Sequence, residues 1–210
     1  MPDIRSFIAV EMPQAILAKL ATMQQLLRGE GAQVAWVRLE GLHVTLKFLG
    51  YVPAEQIAAI GDALAGIAER HRPFRLSVAR IGGFPSPRRP RVVWAGVEAG
   101  VEEMSALARE VEDAMAALGF AREERPFQPH LTLGRVKAPE GIERLAAAMG
   151  AHAEEQFGEA RVAEMVLMRS DLSPQGAHYT ALRRVPLLGK SGELAGNRAD
   201  TDDEKRDDHG

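Results

Sequence analysis

The 210-residue chain contains no cysteine, which excludes disulfides, thiolate-bound metals and a cysteine nucleophile. No apolar run approaches the roughly 18 residues that a membrane-spanning helix needs. The N-terminus lacks the basic-then-apolar pattern of a secretory signal. A cytoplasmic address with no membrane partner is therefore expected. Positive charge is not in excess either: the formal net charge is −3, which argues against a strongly basic nucleic-acid binder. Metal-binding patterns such as H-E-x-x-H are missing, so no metal site is expected.

What is present is the composition of an ordinary globular protein, 46% hydrophobic and 26% charged. The length suits one large domain or two small lobes around a sizeable core. The net charge is unevenly placed. Residues 189–210 hold four basic and seven acidic side chains, which leaves 22 of each sign in the body. Attraction for an anion must then come from local clustering. From 189 onward apolar periodicity is lost, which predicts a disordered acidic tail behind a single domain over 1–188.

The body says one thing twice. Residues 42–50 read Leu-His-Val-Thr-Leu-Lys-Phe-Leu-Gly, and residues 129–136 read Pro-His-Leu-Thr-Leu-Gly-Arg-Val. Each alternates with period two, the mark of a strand with one polar and one apolar face. Regular alternation puts His43, Thr45 and Lys47 on one face and Val44, Leu46 and Phe48 on the other. In the second copy His130 and Thr132 share a face. His130 follows His43 by 87 positions, which suggests a duplicated half-site.

Around these strands the chain alternates regularly. A strand over residues 4–12 precedes a helix that opens at Pro13 and carries Ile16, Leu17, Leu20, Met23, Leu26 and Leu27. An extended piece over 34–39 leads into the first motif strand. A helix over 53–71 and a strand over 74–81 follow, then a loop over 82–91 rich in Gly, Pro and Arg. A strand over 91–97 and a helix over 101–118 lead to the second motif. A short helix near 140–150 and two closing strands, about 161–168 and 178–186, complete the body. The order β-α-β-β-α-β then β-α-β-α-β-β argues for an α+β fold with antiparallel or mixed sheets.

Two imidazoles facing one cleft can divide acid–base work: one, neutral, accepts a proton from an attacking oxygen while the other, protonated, donates to a leaving oxygen. A threonine two positions on lies about 6–7 Å along the strand. Its hydroxyl can hold a non-bridging oxygen of a bound anion. The chemistry suggested is metal-free attack at a phosphodiester, most easily a cyclic one. One His-x-Thr in a strand is weak evidence; two in matching settings are not.

Other residues could join them. Lys47 shares the parity of His43 and could reach a phosphate, although lysines at strand edges are more often solvated. Arg135 has the wrong parity for His130 unless the strand bends at Gly134. Phe84 and Arg88, with Arg89 and Arg91, could meet a base and backbone phosphates. Trp36 and Trp94 are assigned to the core.

The two motifs, the segment 84–97 (Phe-Pro-Ser-Pro-Arg-Arg-Pro-Arg-Val-Val-Trp-Ala-Gly-Val) and the segment 170–179 resemble the RNA 2′,3′-cyclic phosphodiesterase family. That family, also called bacterial 2′-5′ RNA ligase, belongs to the two-histidine phosphoesterase superfamily, and the resemblance covers about residues 3–188. It implies a bilobal α+β fold with a pseudo-twofold axis, each lobe a mostly antiparallel sheet with helices outside and a cleft between. It also implies hydrolysis of RNA 2′,3′-cyclic phosphate ends to 2′-phosphates without cofactor, in a chain expected to be monomeric. His43 and His130 would be the acid–base pair, and Thr45 and Thr132 the phosphate donors. Some relatives join such ends to a 5′-hydroxyl. A small cyclic phosphate as substrate, or a module that binds RNA ends without turnover, are the competing readings.

Overall fold

In the computed structural model, residues 3–174 and 176–189 are described. The tail expected from 189 onward lies, from residue 190, outside the described residues. The chain folds as β1 (Ile4–Glu11), α1 (Gln14–Arg28), β2 (Val34–Trp36), β3 (His43–Val52), α2 (Gln56–Ala68), β4 (Phe74–Phe84), β5 (Val92–Ala99), α3 (Val101–Ala117), β6 (His130–Val136), α4 (Ile142–Ala151), β7 (Gln156–Val162), β8 (Glu164–Ser173) and β9 (Gly176–Pro186).

The four helices form where apolar residues recur every three or four positions. In α1 the buried residues are Ile16, Leu20, Met23, Gln24 and Leu27; in α3 they are Met104, Leu107, Ala108, Val111 and Met115. Leu26, expected on the stripe of α1, is exposed. No helix among the described residues is long and apolar enough to cross a membrane.

All nine strands join one antiparallel sheet in the order β7-β4-β5-β6-β3-β1-β8-β9, with β2 beside β6. Outward from the centre it falls into two matching halves, β3-β1-β8-β9 and β6-β5-β4-β7. The halves meet at one register pair, Val44 with Leu131. These two residues are equivalents in the repeat, so the local twofold of the sequence passes through the seam. Beyond that pair the motif strands part, and β6 turns to β2 instead.

Helices pack on one face of the sheet and cross between halves: α2 and α3 lie under β3, β8 and β9, while α1 and α4 lie under β4 and β7. The main core fills this layer. A second, smaller apolar cluster of Phe7, Ala9, Val166 and Met168, with Tyr179 against it, sits on the opposite face.

Three sequence expectations are corrected. First, β7 is absent from the elements expected. The single strand expected over about 161–168 runs from the end of β7 into β8, because the β7–β8 turn at Ala163 has neither Gly nor Pro and an irregularity beside Gly158 breaks the alternation before it. Second, the loop expected from Gly82 begins only after Phe84. Gly82 and Gly83 are in strand because the Trp94 ring lies over Gly82 across the hairpin and Pro90 over Gly83, where a Cβ would collide.

Third, Lys47 does not share the face of His43. In β3 the register steps from Thr45 opposite Ala9 to Lys47 opposite Ile8, leaving Leu46 as an extra residue. This bulge reverses the parity beyond it. Lys47 therefore enters the helical layer, 5% exposed. Its three N–H donors meet Glu112 Oε1, Glu112 Oε2 and the Ala121 carbonyl oxygen, each at 2.8 Å.

Removing the ammonium leaves a half-buried carboxylate and the Ala121 carbonyl without their donor, whereas replacing both members of the pair by apolar groups leaves no carboxylate behind. Lys47→Met should destabilise the fold by about 3 kcal/mol. The double variant Lys47→Met/Glu112→Leu should recover most of that loss, with urea unfolding as the measurement.

Candidate active site

The second motif strand carries the same bulge at the equivalent residue. In β6 the register steps from Thr132 opposite Trp94 to Gly134 opposite Val93, leaving Leu133 over. The extra carbonyl this creates finds two donors: Leu133 O accepts from Gln24 Nε2 at 2.9 Å and from the Val37 amide at 2.9 Å. Buried Gln24 also donates to Val37 O at 2.9 Å. The parity reversal acts alike in the two copies. Lys47 and Gly134 turn to the core side, and Phe48 and Arg135 turn back to the histidine side. Arg135 thus reaches the cleft by the bend that regular alternation denies it.

The four motif side chains gather at the seam. With Val44 opposite Leu131, His43 falls across from Thr132 and Thr45 across from His130. The imidazoles are near enough for charge on His130 to depress the pKa of His43. His43 Nε2 lies 3.1 Å from Thr45 Oγ1. His130 Nδ1 lies 2.7 Å from the Gln128 carbonyl oxygen. A carbonyl only accepts, so His130 carries its proton on Nδ1 and leaves Nε2 as the free acceptor. His43 makes a matching hydrogen bond to the backbone of Gly41, again two residues upstream.

Each imidazole leans on aromatic rings. Phe7 stacks on His43 at 4.7 Å between centroids, and Tyr179 meets it edge-on at 5.3 Å. His130 meets Phe84 edge-on at 5.1 Å, and Phe84 packs on Trp94 at 5.3 Å. This apolar lining sets the electrostatics. Burial drives the pKa of His43 from 6.5 down to about 4, with His130 adding to the fall and Gly41 and Glu11 opposing it. Burial likewise lowers His130; the Gln128 carbonyl opposes the fall and the charge of Arg135 adds to it. Tyr179 is raised by burial, against the pull of Arg5 and Arg135. Arg5 and Arg135 therefore both direct positive charge toward Tyr179, and Arg135 also toward His130.

Of the residues expected from sequence, His43, His130, Thr45, Thr132, Phe84 and Arg135 come together here. Lys47 does not, for the reason given above. Arg88 stays on the exposed turn after β4, and among the described residues no hydrogen bond or ion pair ties it to either histidine. Trp94, assigned to the core, stands on the histidine face opposite Thr132. Phe7, Tyr179 and Arg5 escape sequence reasoning. They lie in β1 and β9, far from either motif in sequence, and only the strand order brings them close. The available signal was Phe7 on the face of β1 opposite to Ile8 and Val10. Among the described residues no three His, Asp or Glu side chains are grouped to hold a metal ion.

A family model described as the 2′-5′ RNA ligase superfamily matches residues 13–174. The chain is 38% identical over 177 residues to the RNA 2′,3′-cyclic phosphodiesterase of Methanothermobacter thermautotrophicus, covering 84% of this chain and 95% of the relative. To the protein of the same name from Archaeoglobus fulgidus it is 39% identical over 183 residues, covering 86% and 98%. A solved structure from Thermus thermophilus matches with a TM-score of 0.75 at 31% identity, covering 89% of this chain and all of that one. The E. coli protein LigT, solved with 3′-AMP, matches with a TM-score of 0.70 at 26% identity, covering 88% and 98%.

A histidine held neutral by burial makes stability depend on pH. Between about pH 6.5 and pH 4 the unfolded chain binds a proton at residue 43 that the folded chain refuses, so stability falls as pH falls. Wild type should lose about 3 kcal/mol more than His43→Gln between pH 7 and pH 4. The difference should stop growing below pH 4, and denaturant unfolding of both proteins across that range measures it.

Proposed function

The chain belongs to the 2′-5′ RNA ligase superfamily, and from that premise we propose that it hydrolyses RNA 2′,3′-cyclic phosphate ends to 2′-phosphates through His43 and His130. The observation that carries this reading is the meeting of two identical His-x-Thr faces across one seam. The relatives' shared name supplies the substrate class.

The cyclic phosphate sits between the imidazoles. One imidazole, neutral, takes a proton from water through Nε2 as the water oxygen bonds to phosphorus. The other, protonated, gives its proton to O3′ as the P–O3′ bond breaks, leaving the phosphate on O2′. Thr45 and Thr132 donate to the non-bridging oxygens, where charge builds in the transition state. Arg135 offsets the negative charge of the same group. The step consumes one water and returns the pair with its proton exchanged between rings, so no metal or nucleotide is required. A 5′-hydroxyl in place of water gives a 2′-5′ linkage by the same motions, in keeping with the description of the matching family.

Turnover of a short RNA ending in a 2′,3′-cyclic phosphate, with EDTA present, tests this directly. Wild type should yield the 2′-phosphate. His43→Ala and His130→Ala should each lose about 10²- to 10⁴-fold in kcat, and Thr45→Val or Thr132→Val about 10²-fold. Activity abolished by EDTA, or kept in either histidine variant, would contradict the mechanism.

The pH profile carries a second expectation. The productive pair holds one proton, and its population peaks between the two pKa values of the free protein. Both lie below 6.5. The optimum of kcat/KM should therefore fall on the acid side of pH 6.5, and activity should decline as pH rises past it. A pH–rate series from 4 to 9 would show the position of the peak.

A further inference from the structure

The bulges that turn Arg135 into the cleft also turn Phe48 outward on the histidine face, and no motif role accounts for it. Phe48 is 56% exposed, Tyr51 68% and Leu172 65%; they are three of the five large apolar side chains left exposed among the described residues. All three belong to one strip. Phe48 lies opposite Phe7 and Tyr51 opposite Arg5, a second register step that leaves Leu49 over keeping both rings on the same face. Phe7 touches both Phe48, at 5.8 Å, and His43, at 4.7 Å. One buried ring thus separates the imidazole from the start of the strip.

At its far end Arg5, Tyr51, Ser170 and Leu172, together with Asp3 and the Arg169–Asp171 pair, line an open hollow of about 270 Å³. Arg169 is tied to Asp171 at 2.8 Å. Arg5 is held at 2.6 Å by the Ser170 hydroxyl, and no described carboxylate pairs with it. The guanidinium is therefore oriented by a hydroxyl, with no described carboxylate bonded to it.

We infer that this strip holds the single-stranded RNA segment immediately 5′ of the cyclic phosphate, with bases stacked on Phe48 and Tyr51 and a backbone phosphate on Arg5. The inference rests on the cyclic phosphodiesterase reading and specifies where its polymer lies. The strip is continuous with the reacting centre. It presents ring faces, which every base can stack upon, and its guanidinium charge has the sign that complements a phosphodiester. A chain body with equal numbers of acidic and basic side chains has little general attraction for RNA. Stacking supplies affinity that does not depend on net charge.

The test compares a mononucleotide 2′,3′-cyclic phosphate with a single-stranded tetranucleotide bearing the same end. Wild type should favour the tetranucleotide in kcat/KM. In Phe48→Ala/Tyr51→Ala, two exposed positions, the ratio of tetranucleotide to mononucleotide should fall about five- to 100-fold. Arg5→Gln should lessen the salt dependence of tetranucleotide binding by about one phosphate contact. Binding of a labelled tetranucleotide that ends in a 2′-phosphate, followed by anisotropy, reports on the strip without turnover and should weaken in the double variant.

A wild type without preference, or a ratio unmoved by the double variant, would overturn the assignment and leave the strip to a protein partner. Equal losses on both substrates would overturn it too, as damage to the centre itself. If wild type turns over neither substrate yet binds the 2′-phosphate tetranucleotide through Phe48 and Tyr51, the hydrolytic reading fails and the RNA strip stands.

Discussion

The arrangement depends on an extra residue at the same position of two strands. Leu46 and Leu133 are the same position in the repeat, and each leaves the ladder without a partner in the neighbouring strand. Before the bulge, His and Thr face the cleft; after it, the faces exchange. Without Leu46, Lys47 would point into the cleft and Phe48 into the core, where Glu112 and the Ala121 carbonyl would have no ammonium to meet. Without Leu133, Arg135 would face the helical layer instead of His130. A bulge also bends and twists its strand. That fits a seam in which the two motif strands touch at Val44 and Leu131 and then diverge. The divergence is the cleft.

The apolar lining follows from the same geometry and decides the chemistry. A histidine exposed to water has a pKa near 6.5. Packed against Phe7 and Tyr179, His43 is held neutral well below that value, and His130 moves the same way against Phe84. An anion bound between the rings favours protonation of whichever imidazole faces it, so a proton taken up with substrate is retained while the phosphate remains. The carbonyl of Gln128 meanwhile keeps Nδ1 of His130 occupied and leaves its Nε2 unbonded. Desolvation thus makes the pair dependent on its substrate for the protonation state that acts.

Much of this was legible from residue order alone. The His-x-Thr repeat, the helices with three-to-four spacing and the antiparallel α+β character are local patterns, and local patterns survive folding. What could not be read was any feature created by register. Strict alternation assigns Lys47 to the cleft and Arg135 away from it, and both assignments reverse because an extra residue leaves no mark in composition. Strand β7 hid for a related reason: the turn at Ala163 uses no turn residue, and Gly158 interrupts the alternation. The partners of the histidines lay hidden differently. Phe7 and Tyr179 meet His43 only because β1 sits between β3 and β8, with β9 beyond, a strand order that no single segment encodes. Trp94 reads as core by residue type, yet it packs over Gly82 on the histidine face.

The two halves are alike up to the bulge and unlike beyond it, and the difference matches the asymmetry of the substrate. At phosphorus, attack and departure are mirror roles, so two equivalent His-x-Thr faces suit them. An RNA end is not symmetric: a polymer leaves it on one side only. On the β6 side the residue returned to the cleft is Arg135, a charge suited to the phosphate itself. On the β3 side it is Phe48, a ring suited to a base, with Tyr51 and Arg5 continuing along the same face. The core-side positions diverge for structural reasons. Lys47 anchors α3 and the segment after it, whereas Gly134 must remain small because Val34 and Trp36 press upon it. In the proposed reaction a duplicated module would keep one chemistry at its axis while each copy specialises outward, with the bulge dividing the His-x-Thr faces from the side chains that differ between the copies.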